Sequence, residues 1–196
     1  MSEEAPLVTS RFRLALDYAS VLHARQARKG TSIPYLSHLL AVCGLVLEDG
    51  GDEDEAIAAL LHDAVEDQGG KPVLEEIKRR FGSKVAGIVA ECTDTDEVPK
   101  PPWRKRKEEY LARLPETSPE ALRVSCADKL HNLRSVLADY RKVGERVFDR
   151  FSAGRDETLW YYRSLLAVYK ARGAGALAEE LARVLRDLEE LVSRPA

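Results

Sequence analysis

His62 and Asp63 close the apolar run Ala56-Ile57-Ala58-Ala59-Leu60-Leu61 and are followed by Ala64-Val65-Glu66-Asp67. Four ionisable groups thus crowd the end of a hydrophobic segment. Charge in such a place costs free energy unless something pairs it, and a divalent cation is the partner that suits imidazole plus carboxylates. In an unbroken helix, at about 100° per residue, His62, Asp63, Glu66 and Asp67 share an arc of roughly 140°, with Ile57, Leu60, Leu61, Ala64 and Val65 opposite. All four can then face one cavity. An amphipathic helix with a solvated acidic face has the same pattern and is the alternative.

More donors lie elsewhere in the chain. His38 follows Pro34-Tyr35 and, taken alone, suits a core histidine as well as a ligand. Asp128 and Asn132 are one helical turn apart and point the same way. A quartet of His38, His62, Asp63 and Asp128 would make a mixed nitrogen and oxygen shell with room for water, suited to Mn, Fe or Zn more than to Ca or Mg. His23 and His131 are chemically as able. His23 lies one turn before Ala27, away from Arg28, where a structural role is expected.

The elements that must position these groups are helical. Apolar residues recur at three- and four-residue spacing almost throughout, and no alternating run marks a strand. The periodicity predicts a first helix from Arg11 to Lys29, broken by Gly30-Thr31-Ser32, and a second from Pro34. Asp52 with Glu55 resembles a reciprocal cap opening a helix over 53–67, which Gly69-Gly70 ends. Helices over 72–81 and 84–92 precede an exposed loop at 93–102, rich in proline. Trp103 opens the next helix, to Leu114, and Thr117-Ser118-Pro119-Glu120 caps a long one reaching Asp139. Helices over 142–150, 155–172 and 175–193 complete an all-α bundle of nine or ten. Residues 1–10 form a tail, and 11–193 form one domain.

Composition narrows the partners. Thirty Lys and Arg against 33 Asp and Glu leave a net charge of −3, which gives no global pull toward nucleic acid or anionic membrane. No apolar stretch approaches the roughly 20 residues needed to span a bilayer, and Met1-Ser2-Glu3-Glu4-Ala5-Pro6 lacks the parts of a signal peptide, so a cytoplasmic location is expected. Cys43, Cys92 and Cys126 fit no C-x-x-C spacing and are expected in the core. The oligomeric state is not legible.

Gln26-Ala27-Arg28-Lys29, Pro34-Tyr35-Leu36-Ser37-His38, Leu61-His62-Asp63-Ala64-Val65-Glu66-Asp67 and Ala127-Asp128-Lys129-Leu130-His131-Asn132-Leu133-Arg134, in this order, resemble the HD-domain hydrolase of the RelA/SpoT family. More narrowly, the chain is similar to the stand-alone small alarmone hydrolases over residues 11–172. This resemblance implies an all-helical HD fold with one Mn ion that removes the 3′-pyrophosphate from guanosine tetra- or pentaphosphate. By position, His38, His62, Asp63 and Asp128 match the family's metal ligands, and Glu66 and Asp67 its water-activating pair. Asn132 matches a residue beside the substrate, Arg28 and Lys29 the basic pair at the nucleobase end. His131 matches a position that flanks the site without ligating. The chain departs from the family in Leu39, where many relatives have proline, and in the spacer Gly30-Thr31-Ser32-Ile33. Both departures bear on nucleobase selectivity more than on catalysis.

Arg104, Lys105, Arg106 and Lys107 form the densest basic run, suited to clasping pyrophosphate or to a solvated helix face. Arg155 and Trp160-Tyr161-Tyr162 resemble the family's late substrate-lining helix, although aromatics at this spacing also suit a core. Two rivals remain. One is an HD phosphomonoesterase acting on nucleotides or NADPH with the same metal and water. The other is a binding module without turnover, whose signature would be loss of the acidic pair; Glu66 and Asp67 are both present.

Overall fold

A computed structural model of the chain describes residues 7–97 and 99–193. They are all-helical apart from one isolated antiparallel bridge, Ala27 to Pro34. Backbone packing groups the chain into two compact units, residues 1–96 and 97–196, divided within the proline-rich segment expected to be a loop.

The first unit contains α1 (Ser10–Leu22), α2 (Leu36–Glu48), α3 (Glu53–Leu61), α4 (Ala64–Gln68), α5 (Lys71–Phe81) and α6 (Ser83–Cys92). Helix α3 is its axis, packed by α1, α2 and α6. The reason is compositional: the whole run Ala56 to Leu61 is sealed from solvent, as a helix apolar on every face must be. Its start is the expected capping box, in which Glu55 N–H donates to Asp52 Oδ1 at 2.9 Å and Asp52 N–H to Glu55 Oε2 at 2.8 Å. Arg11 ties α1 to this end by donating to Asp54 Oδ1 at 2.8 Å and to the Phe81 carbonyl at 2.9 Å.

Two boundaries in this unit differ from expectation. Helix α1 stops at Leu22 instead of Lys29, so Gln26, Arg28 and Lys29 lie on a loop. Hydrogen bonds across that loop take over: Arg28 N–H donates to the Ile33 carbonyl at 2.8 Å and Tyr35 N–H to the Gln26 carbonyl at 2.9 Å. The helix expected over 53–67 is interrupted at His62-Asp63. There the His62 ring donates from Nδ1 to the Ala59 carbonyl at 2.8 Å. In an unbroken helix that carbonyl would serve the Asp63 N–H. After α4 the chain reverses through Gly69 and Gly70, both at positive φ, where a side chain would be strained.

The second unit contains α7 (Trp103–Arg113), a 3₁₀ turn (Leu114–Glu116), α8 (Pro119–Val143), a longer 3₁₀ segment (Gly144–Arg150), α9 (Gly154–Ala171) and α10 (Gly175–Val192). Helix α8 starts as predicted, with Ser118 accepting from Ala121 N–H at 3.2 Å and Pro119 in the first turn. Instead of the α-helix expected over 142–150, Gly144 at φ +62° ends α8 and the chain continues as 3₁₀. Helix α10 lays Leu177, Leu181, Val184, Leu185 and Leu188 against α8 and α9. Cys43 and Cys126 are buried as expected, whereas Cys92, at the end of α6, is only partly so.

Candidate metal and hydrolytic site

In the first unit the interruption between α3 and α4 holds His62 and Asp63, and the first turn of α2 brings His38 to them. Both histidines are buried. Their rings meet edge to face, with centroids 5.3 Å apart. Asp63 Oδ2 lies 3.0 Å from His62 Nε2 and 3.5 Å from His38 Nε2. Since a carbonyl can only accept, His62 Nδ1 carries the proton given to Ala59, which directs the Nε2 lone pair toward Asp63. A lone pair facing a carboxylate at that distance repels it unless a cation or a second proton stands between. Nitrogen and oxygen donors so arranged fit a divalent ion, and the bond from Nδ1 is the orienting contact that metal-ligating histidines usually make.

Tyr35 completes this cluster. Its hydroxyl donates to Asp63 Oδ2 at 2.6 Å, and its ring is stacked on His23 at 5.3 Å and in edge contact with His38 at 5.4 Å. The Arg28 guanidinium lies 5.7 Å from the Tyr35 ring centre, and Lys29 beside it is exposed. In the sequence Tyr35 stands out only by its place three residues before His38, on the same helical face. His23 is buried as the structural histidine expected, donating from Nδ1 to Gln26 Oε1 at 2.6 Å.

Glu66 and Asp67 follow on α4, Glu66 partly buried and Asp67 exposed. Asp67 Oδ2 accepts from Gln26 Nε2 at 2.8 Å. The single arc expected for four side chains is therefore divided: His62 points into the core, whereas Asp63 and Asp67 are each held by the 26–35 loop.

In the second unit, buried Asp128 sits on α8 and accepts from Asn132 Nδ2 at Oδ1 and from Lys129 Nζ at Oδ2, both at 2.5 Å. Burial works against the Lys129 ammonium, but the adjacent Asp128 carboxylate prevails and holds its pKa well above the ordinary value. His131 is partly buried on the same helix. Nearby, a chain of hydroxyls joins Tyr110 to Ser125 at 2.5 Å and Ser125 to Tyr169 at 2.6 Å.

The basic and aromatic residues of α7 and α9 form their own cluster. Arg104 donates to Glu108 at 2.7 Å and Glu157 at 2.8 Å, with its guanidinium 3.3 Å from the Trp160 ring centre. Lys105 lies 3.7 Å from Glu109. Tyr161 is buried beside Trp103, with Lys107 over its ring at 5.1 Å. Arg155, exposed at the start of α9, pairs with Asp156 at 2.8 Å and Glu145 at 3.5 Å.

Imidazoles and a carboxylate gathered at a helix break, in described residues whose regular elements are helices, define the class of helical proteins equipped to hold a divalent ion. Comparison with known proteins narrows the class: the HD-domain family model matches residues 15–159. This chain belongs to the HD-domain family. It is similar to the guanosine-3′,5′-bis(diphosphate) 3′-pyrophosphohydrolase MESH1 of Xenopus tropicalis, 39% identical over 139 residues that cover 69% of this chain and 73% of that one. The enzyme of the same name from Homo sapiens is 38% identical over 125 residues, 62% and 67% of the two chains. Among solved structures, a metazoan ortholog of SpoT that hydrolyses ppGpp superposes with a TM-score of 0.75 at 27% identity, covering 94% of this chain and 98% of that one. No helix among the described residues is long and apolar enough to cross a membrane.

Proposed function

We propose that this protein removes the 3′-pyrophosphate from guanosine tetra- or pentaphosphate, giving GDP or GTP and pyrophosphate, with the domain spanning residues 11–193 and working in the cytoplasm. The observation that carries the reading is the His38, His62 and Asp63 cluster, in which the bond from His62 Nδ1 to Ala59 leaves Nε2 for a cation. Its family membership and its similarity to the pyrophosphohydrolases supply the substrate.

In this reading His38, His62, Asp63 and Asp128 hold one divalent ion, with manganese as the proposed metal. Such an ion lowers the pKa of a bound water and offsets charge at the phosphate. Glu66 and Asp67 orient the attacking water and take its proton. Water oxygen joins the phosphorus next to the ribose, the bond from phosphorus to the 3′-oxygen breaks, and that oxygen is protonated. Arg28 and Lys29 bind the nucleobase end, and Asn132 lies beside the substrate. Arg104 and Lys105 are proposed to clasp the pyrophosphate, and Arg155 and Tyr161 to line the substrate; for Arg104 that requires exchanging a glutamate for a phosphate, a trade of one charge-assisted bond for another.

The test is a matrix of metals against substrates with product analysis. Pyrophosphate released from guanosine tetraphosphate in the presence of Mn²⁺ is the expected result. Orthophosphate from NADPH or ordinary nucleotides, with no pyrophosphate from guanosine tetraphosphate, would establish the phosphomonoesterase instead. Binding without turnover would establish the non-catalytic module.

A further inference from the structure

Gln26 is a half-buried amide with three side-chain partners and no part in the chemistry described so far. Its Nε2 donates to Asp67 Oδ2 at 2.8 Å. Its Oε1 accepts from His23 Nδ1 at 2.6 Å and from Gln68 Nε2 at 2.5 Å. The amide's direction follows from chemistry: a carboxylate only accepts, so the NH₂ faces Asp67 and the oxygen faces the two donors. His23 is itself buried and stacked on Tyr35, so the anchor at the far end does not swing.

The backbone of Gln26 is also held. Its N–H donates to the His23 carbonyl at 3.0 Å, and its carbonyl accepts from Tyr35 N–H at 2.9 Å. Asp67 is an exposed residue on a five-residue helix, and a bond from an amide fixed at both ends narrows the rotamers open to its carboxylate. The 26–35 loop therefore reaches two carboxylates, Asp63 just before α4 through the Tyr35 hydroxyl and Asp67 on α4 through the Gln26 amide. It also carries Arg28 and Lys29, so one short loop is shared by the basic pair and the acidic pair.

We propose that Gln26 is a positioning residue that aims the Asp67 carboxylate for water activation, with His23 and Gln68 holding the amide in the required direction. The inference rests on the hydrolase reading above, in which Asp67 handles the water. A positioning amide acts on turnover, whereas an amide that merely shapes the loop would act on the neighbouring Arg28 and Lys29 and so on substrate affinity.

Steady-state kinetics of the full chain with Mn²⁺ and guanosine tetraphosphate, alongside Mn²⁺ titration and thermal melting, separates these outcomes. Gln26→Met keeps the length of the side chain and removes both the donor to Asp67 and the acceptor of His23 and Gln68. It is expected to lower kcat by about 10- to 100-fold, the usual cost of losing an orienting contact of this kind, with KM and Mn²⁺ affinity near wild type and a modest fall in Tm from the unpaired His23 donor. Gln26→Glu, which turns an acceptor toward Asp67, is expected to lower kcat further. A wild-type kcat in both variants, or a loss that appears in KM instead, overturns the positioning role and leaves the hydrolase reading intact. A wild-type protein that releases no pyrophosphate removes both.

Discussion

Tyr35 and Asp63 show how much of this site depends on a single proton donor. The Tyr35 hydroxyl at 2.6 Å fixes Oδ2 of Asp63, the same oxygen that faces the Nε2 atoms of His38 and His62. A carboxylate held in this way keeps its oxygen available to a cation without first paying to be oriented. Tyr35→Phe should therefore weaken Mn²⁺ binding by about 10-fold or more, measured by calorimetric titration, with the helical signal in circular dichroism unchanged. An unaltered Mn²⁺ affinity would show that the hydroxyl is incidental. The residue types of this cluster were legible from sequence because imidazole and carboxylate at the end of an apolar run have few other uses. The role of Tyr35 was not, because its partner lies 28 residues away.

Helix α3 shows which local features carry over into the fold. Its cap residue Asp52 accepts from Glu55 N–H and also takes a 2.7 Å bond from Lys84 on α6. Slight burial pushes the Asp52 carboxyl up, but the bonds from Lys84 and the Glu55 backbone outweigh it and leave the pKa below the ordinary value. A depressed carboxylate contributes stability above its unfolded pKa of about 3.9 and loses it as pH falls through the folded value. Asp52→Ala should cost about 1 kcal/mol near neutrality, read from urea unfolding. The gap between variant and wild type should narrow when the measurement is repeated in acid; a gap independent of pH would contradict it.

Periodicity predicts that the same helix continues to residue 67 and α1 to Lys29, and both stop short. Nothing in His23-Ala24-Arg25-Gln26-Ala27-Arg28-Lys29 breaks a helix locally. The stop comes from pairing with Ile33 and Tyr35, which propensity cannot register.

For the molecule as a whole, the proposed ion is also a thermodynamic lever. An unfolded chain cannot hold the ligands proposed for it around one cation, so on that proposal binding adds to folding stability. Mn²⁺ at about 100 times its Kd should stabilise the protein by about 2.7 kcal/mol, seen as a rise in Tm that chelator reverses. His62→Ala should abolish that rise. A Tm that ignores Mn²⁺ in the wild type would remove the metal from the proposal. The division into two packed units has no counterpart in composition, since apolar residues are spread evenly. Pro99, Pro101 and Pro102 nevertheless mark the segment where it falls.

Helix content, the caps at Asp52 and Ser118, and the supply of nitrogen and oxygen donors followed from the order of residues, because periodicity and capping act over one or two turns. Which histidine is a strut and which faces a carboxylate did not. His23, His38 and His62 are alike as side chains and all are buried. Their roles are set by what each ring nitrogen meets: Gln26 for His23, and Asp63 for the other two, with Ala59 turning the His62 ring. Gln26, Ala59 and, for His62, Asp63 are close in sequence; the approach of His38 to Asp63 is not, and a distance of that kind exists only once the helices have packed.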